Sequence, residues 1–253
     1  MLTQACWYKG KKMRVLSISN SFGVDATRYL HQIAKAGGDR LEIVTLYIGG
    51  CSLERHYRNM LGDKQAYELH YNGQNTGFTV SMQEALLSRK WDVIQLQQQS
   101  SSSAHPETFS PYDEALYEFC KECAPQAKIV LMQTWAYEEG SEKLAATGWP
   151  NAKAMFGAIE ASYAQCHQRL GTDGIIPAGE LFTRMLDAGV AKIHRDTFHA
   201  SLGLGRYALG LLWYRMLTGK TVADNAFCSL DEPATEEEIA IAKRCVDAMD
   251  PIF

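Results

Sequence analysis

The chain has 253 residues, of which 46% are apolar and 21% charged, and a formal net charge of -4. Such a composition excludes a collagen, a coiled coil and a disordered tail, and a chain of this length can bury a large core without disulfide staples. The mildly acidic balance offers no electrostatic footprint for nucleic acid.

Residues 1–12 read as a tail, and residues 13–253 as a single domain, because α/β domains commonly reach about 200–250 residues. The segment MLTQACWYKGKK has no apolar region before its charges, so it is not a secretory signal. No stretch nears the roughly 20 apolar residues of a membrane span. A soluble, cytoplasmic protein with no membrane partner is expected. The seven cysteines are odd in number and scattered, which suits a reduced compartment. Cys120 and Cys123 form a lone C-x-x-C in a helical stretch, with no second pair to complete a zinc site.

Met13–Ser19 (MRVLSIS) is a short β-branched run that predicts a buried strand. A helix follows over Val24–Lys35 and stops at Gly37-Gly38. Leu41–Ile48 is a second strand and Leu53–Leu61 a helix. Tyr67–Tyr71 and Thr76–Val80 alternate around Asn-Gly and Asn-Thr-Gly turn residues and predict a small hairpin. Ser81 caps a helix, with Glu84 in the capping-box position. Trp91–Gln97, Lys128–Gln133 and Gly174–Ile176 are three more strands, the last ended by Pro177. Pro111–Cys123, Lys153–Leu170, Leu181–Ala188, the apolar Ser201–Leu217 and Thr235–Met249 are helices. Alternating strands and helices argue for a five-stranded parallel sheet covered on both faces, a three-layer α/β/α sandwich. In such sheets ligands bind beyond the carboxyl ends of the strands.

Those ends carry chemistry. Ser19-Asn20-Ser21 follows the first strand and opens a helix, where backbone N–H groups favour negative charge. A serine there is either a helix cap or a nucleophile whose oxyanion meets backbone donors. A nucleophilic serine needs a base. His199 closes Asp196-Thr197-Phe198-His199, and a carboxylate three residues ahead can fold back onto the ring and fix its tautomer. The same string can simply cap the next helix. Gly49-Gly50 can bring a bare N–H close to a bound oxygen. Gln97, Gln98 and Gln99 end the third strand, either exposed to solvent or pointing into a pocket. Gly203-Leu204-Gly205 follows no strand, so it does not read as a nucleotide or flavin loop.

In this order the blocks SNSF (19–22), GGCS (49–52), QQQS (97–100) and DTFH (196–199) resemble the SGNH hydrolases, the GDSL-like esterase and lipase superfamily. WDVIQLQQQS and QTWAY look closest to an uncharacterised bacterial branch of it. The resemblance spans residues 14 to about 217. It implies a flavodoxin-like sandwich and a serine esterase without metal or cofactor. Ser21 would be the nucleophile, His199 the base and Asp196 its orienting partner. The N–H groups of Ser21 and Gly50 and the side chain of Gln97 would form the oxyanion hole, Gln97 standing where the family carries an asparagine. Family substrates are short acyl esters, often acetyl groups on sugars. Trp135 and Tyr137 could then stack on a sugar ring, or pack under a loop. Glu180 reads as structural. The alternative to an esterase is a carbohydrate-binding, non-catalytic protein on a degenerate fold of this kind.

Overall fold

The computed structural model describes residues 10–253. Residues 1–9, most of the expected tail and its Cys6, lie outside the described residues. Seven strands form one sheet: β1 (Lys12–Ser19), β2 (Arg40–Tyr47), β3 (Tyr67–Tyr71), β4 (Gln74–Val80), β5 (Val93–Leu96), β6 (Lys128–Gln133) and β7 (Gly174–Pro177). Their order is β4-β3-β2-β1-β5-β6-β7. The expected five-stranded sheet is therefore corrected to seven strands. β1 pairs in parallel with β2 and β5, β5 with β6, and β6 with β7, but β3 joins β2 antiparallel and β4 joins β3. The expected hairpin is present and adds the two further strands to the sheet, supplying backbone partners to an edge that β2 would otherwise leave open.

The helices are α1 (Ser21–Thr27), α2 (Leu30–Ala36), α3 (Leu53–Leu61), α4 (Met82–Leu87), α5 (Tyr112–Cys123), α6 (Glu142–Ala145), α7 (Ala152–Leu170), α8 (Ala178–Asp187), α9 (Leu204–Thr218) and α10 (Glu236–Asp247). Successive strand residues point to opposite faces. Val15, Ile43 and Val130 accordingly belong to one core with α1, α2, α8, α9 and α10. Leu16, Ile94 and Leu131 belong to a second core with α3, α4, α5 and α7. This makes three layers. α9 is apolar nearly all round and packs among α1, α2 and α10. A helix without a polar face is stable only where neighbours bury it. Among the described residues, no helix is long and apolar enough to cross a membrane.

The single helix expected over Val24–Lys35 starts earlier and is split into α1 and α2 at Arg28-Tyr29. Both residues at the break are held by distant groups. Arg28 pairs with Asp231, and the Tyr29 hydroxyl donates to the Leu202 carbonyl at 2.7 Å. These tertiary bonds outweigh the local helix period.

α1 lies unusually close to β1. A Cβ built at Gly23 would stand 2.0 Å from Ser19 Oγ and 3.2 Å from Ser17 Oγ. Gly23→Ala is expected to cost about 1–3 kcal/mol of stability through overpacking, read as a lowered urea midpoint with an unchanged m-value.

Candidate active site

The parallel strands run β2-β1-β5-β6-β7, so the order reverses direction at β1. A crevice forms at such a switch point, beyond the carboxyl ends of the strands. A cavity of about 430 Å³ lies there, lined by Ser21 and Phe22 after β1, Gly50 after β2, Gln99 after β5, and Phe198 and His199 before α9.

Asn20 caps α1, its Oδ1 accepting from the Phe22 N–H at 3.1 Å. Ser21 is thus the first helical residue and points into the cavity rather than serving as the cap. Asp196 and His199 fold into a tight turn. The His199 backbone N–H donates to Asp196 Oδ1 at 2.9 Å, and ring Nδ1 donates to Asp196 Oδ2 at 2.8 Å. A carboxylate only accepts, so Nδ1 carries the proton and Nε2 of the neutral ring must accept. Ser21 Oγ lies 2.8 Å from Nε2 and donates to it. Burial pushes the Asp196 carboxyl up. The hydrogen bonds from the His199 ring and backbone, with the nearby charges of His199 and Arg195, outweigh that and hold it below the usual carboxylate range. Thr197, inside this turn, has a φ of 72°. That is the left-handed region, costly for a β-branched residue. Its carbonyl is fixed by the Glu138 N–H at 2.7 Å.

Two clamps hold the serine and histidine segments together. One is ionic. Asp25 lies one turn beyond Ser21 on α1 and is 1% exposed. Arg195, next to Asp196, donates to both of its oxygens at 2.9 and 3.0 Å, and also to the Ala200 carbonyl. Arg206 of α9 adds a bond at 2.8 Å. Burial pushes the Asp25 carboxyl above its usual range, and the two guanidiniums oppose that shift. The other clamp is aromatic. Phe22 stacks on Trp135 with centroids 4.0 Å apart and planes 7° apart, while Trp135 Nε1 donates to the Phe198 carbonyl at 2.7 Å.

The N–H groups of Ser21 and Gly50 have no protein acceptor among the described residues. Gly50 has a φ of 58°, a conformation that suits glycine. Gln97 is placed differently from its expected role. It is 1% exposed and does not line the cavity. Its Nε2 donates to Asn20 Oδ1 at 2.7 Å, and its Oε1 accepts from Gln95 Nε2 at 3.4 Å. Gln95 in turn accepts from Ser17. The glutamine therefore closes a buried polar network under α1 and steadies the α1 cap. Gln99, not Gln97, reaches the cavity.

Trp135 is also buried, with Phe22 stacked on its ring and Phe182 at 4.8 Å, and it does not line the cavity that holds Ser21. Tyr137 lines the cavity, 2% exposed, with its hydroxyl 3.1 Å from Ser100 Oγ. It also borders a larger cavity of about 630 Å³ between α7 and α8, which contains none of Ser21, Asp196 and His199. Glu180 pairs with Arg184. Gln99 was one of the three strand-end amides placed either in solvent or in a pocket, whereas Asp25, Arg195 and Lys143 escaped the sequence reading. Only the adjacency of Arg195 to Asp196 could have signalled any of them. The six cysteines among the described residues are free. Burial pushes the Cys51 thiol beside Gly50 up to about 12, so it is protonated at neutral pH and no rival nucleophile. Among the described residues, no group of three or more His, Cys, Asp or Glu side chains is placed to hold a metal ion.

Residues 14–247 match the family model described as a domain of unknown function, DUF4886. The crystal structure of a DUF4886 family protein from Bacteroides uniformis superposes with a TM-score of 0.84 at 27% identity, covering 93% of each chain. A proposed SGNH hydrolase from Slackia heliotrinireducens is similar at a TM-score of 0.60 and 22% identity, over 81% of this chain and 99% of that one. A proposed GDSL-like lipase from Parabacteroides merdae gives 0.53 and 17%, over 83% and 97%. At these two lower identities the likeness is one of fold, and the expected SGNH resemblance holds at that level. No curated protein matches the chain.

Asp25→Ala leaves two guanidiniums without their shared carboxylate. It is expected to cost about 3–5 kcal/mol, measured by urea unfolding followed by circular dichroism.

Proposed function

The chain belongs to the DUF4886 family, and we propose that it is a serine hydrolase cleaving small acyl esters, an O-acetyl group on a carbohydrate being the substrate type in view. The observation that carries this reading is the continuous hydrogen-bonded line from Asp196 through His199 to Ser21, with both links at 2.8 Å. Each group has the role its geometry allows. His199 Nε2 takes the Ser21 proton as Oγ attacks the ester carbonyl, and Asp196 holds the tautomer and stabilises the imidazolium. The N–H groups of Ser21 and Gly50, without acceptors in the protein among the described residues and belonging to residues that line the same cavity, support their reading as donors to the oxyanion. The tetrahedral intermediate collapses to an acyl-enzyme as His199 returns the proton to the leaving alcohol. Water activated by His199 then releases the acid.

The position of Gln97 favours a second reading. With its amide committed to Asn20, it adds no third donor to the oxyanion hole. A missing donor costs about 2.7–4 kcal/mol of barrier. A protein that binds the ester's sugar without turning it over fits that deficit.

Ser21→Ala is expected to lower turnover of 4-nitrophenyl acetate at least about 10³-fold with the far-ultraviolet spectrum unchanged. Undiminished turnover would rule the nucleophile out. Asp196→Asn is expected to lower kcat about 10⁴-fold through the wrong histidine tautomer. A fluorophosphonate probe should label Ser21 stoichiometrically, and a stable, unlabelled protein would instead support the binding reading.

A further inference from the structure

The cavity holding Ser21 is charged in one sense. Its charged lining residues are Arg195 and Lys143, with no Asp or Glu among them. Arg195 is taken up by Asp25 and the Ala200 carbonyl. Lys143, on the short helix α6, is not. Among the described residues it has no carboxylate within 4.0 Å. Of the acids near it in sequence, Glu138 faces Lys192 at 3.9 Å, Glu139 accepts from the Ala152 N–H at 2.7 Å, and the exposed Glu142 beside it makes no ion pair with it.

Lys143 is not a freely waving surface cation either. Its Nζ stands 4.7 Å from the ring centroid of Phe198 and 5.6 Å from that of Tyr137. Attraction to the two ring faces holds the ammonium at the cavity rim, while its other side remains open to an anion. The Phe198 ring lies 3.9 Å from that of His199, and His199 is bonded to Ser21. Phe198 and His199 therefore link the ammonium to the nucleophile through consecutive contacts, and all three residues and Ser21 line the same cavity.

We propose that Lys143 binds a carboxylate of the substrate, so that the ester cleaved is that of an acidic saccharide, an O-acetylated uronate. This rests on the serine hydrolase reading for its chemistry, but the charge preference is a property of binding. A single unpaired lysine matches a singly charged carboxylate. A phosphate would call for more donors, commonly an arginine fork. Gln99, Ser101 and Tyr47 supply amide and hydroxyl groups on the same cavity wall for sugar hydroxyls.

The test compares two substrates that differ only at C6, an O-acetylated methyl glucuronoside and the corresponding O-acetylated methyl glucoside. Acetate release should favour the glucuronoside about fivefold in kcat/KM, the factor for a partly exposed charge pair worth about 1 kcal/mol. The preference should shrink as salt is raised. Lys143→Ala should bring the ratio to about one, Lys143→Arg should keep it, and Lys143→Glu should invert it. Ser21→Ala protein titrated with the same two sugars reads the preference as a ratio of Kd values, without turnover. Equal treatment of the two sugars by the wild type, or a preference that survives Lys143→Ala, overturns the proposal. Turnover of 4-nitrophenyl acetate without any glucuronoside preference overturns it while sparing the hydrolase reading. A glucuronoside preference in binding that Lys143→Ala removes, with no turnover of either sugar ester or of 4-nitrophenyl acetate, supports the carboxylate contact and overturns the hydrolase reading.

Discussion

Ser21 and His199 are 178 residues apart in sequence, and a hydrogen bond of 2.8 Å between them survives only if their two segments cannot slide. Asp25 supplies that restraint. It sits on the same short helix as Ser21, and its buried carboxylate is gripped by Arg195 from the histidine loop and by Arg206 from α9. A buried carboxylate without such partners would be strongly unfavourable. The requirement to satisfy it therefore fixes where the loop and α9 stand relative to α1. The geometry of the candidate triad is in this sense a by-product of solvating one carboxylate with protein.

The aromatic stack repeats the same connection through packing. Phe22 follows the serine, Phe198 precedes the histidine, and Trp135 at the end of β6 touches one by its ring and the other by its indole N–H. The residue that looked like a sugar platform is thus a strut. Its large buried surface contributes more inside the core than at a rim, and its N–H finds the partner that a buried indole needs. Gln97 is a parallel case. Beneath α1 the sheet face turns from apolar to polar, with Ser17, Ser19, Gln95 and Gln97 all buried. The small serines admit α1 to close approach at Gly23, and the two glutamines satisfy one another and the cap of α1.

These constraints leave the cavity wall itself lightly built. Gly50, Gln99 and Lys143 come from separate loops and a one-turn helix, each set at the end of a different strand. Functional groups carried on loops above a rigid scaffold are a common arrangement. Lys143 belongs to that layer, apart from the buried groups that hold the triad.

Much of the architecture was readable along the chain. The β-branched runs, the glycine stops and the capping serine at 81 are local signals, and local signals act through backbone conformation alone. The D-x-x-H turn was equally accessible, because three residues suffice to close it. The hairpin's place on β2, the break at Arg28-Tyr29, the burial of Gln97 and Trp135, and the bond between Ser21 and His199 were not. Each depends on a partner far along the chain: β2 for the hairpin, Asp231 for Arg28, Asn20 for Gln97, Phe22 and Phe198 for Trp135, Asp25 for Arg195. Residue type states which groups a side chain can bond. Which of them comes within 3 Å is settled only when the sheet has brought the strand ends together.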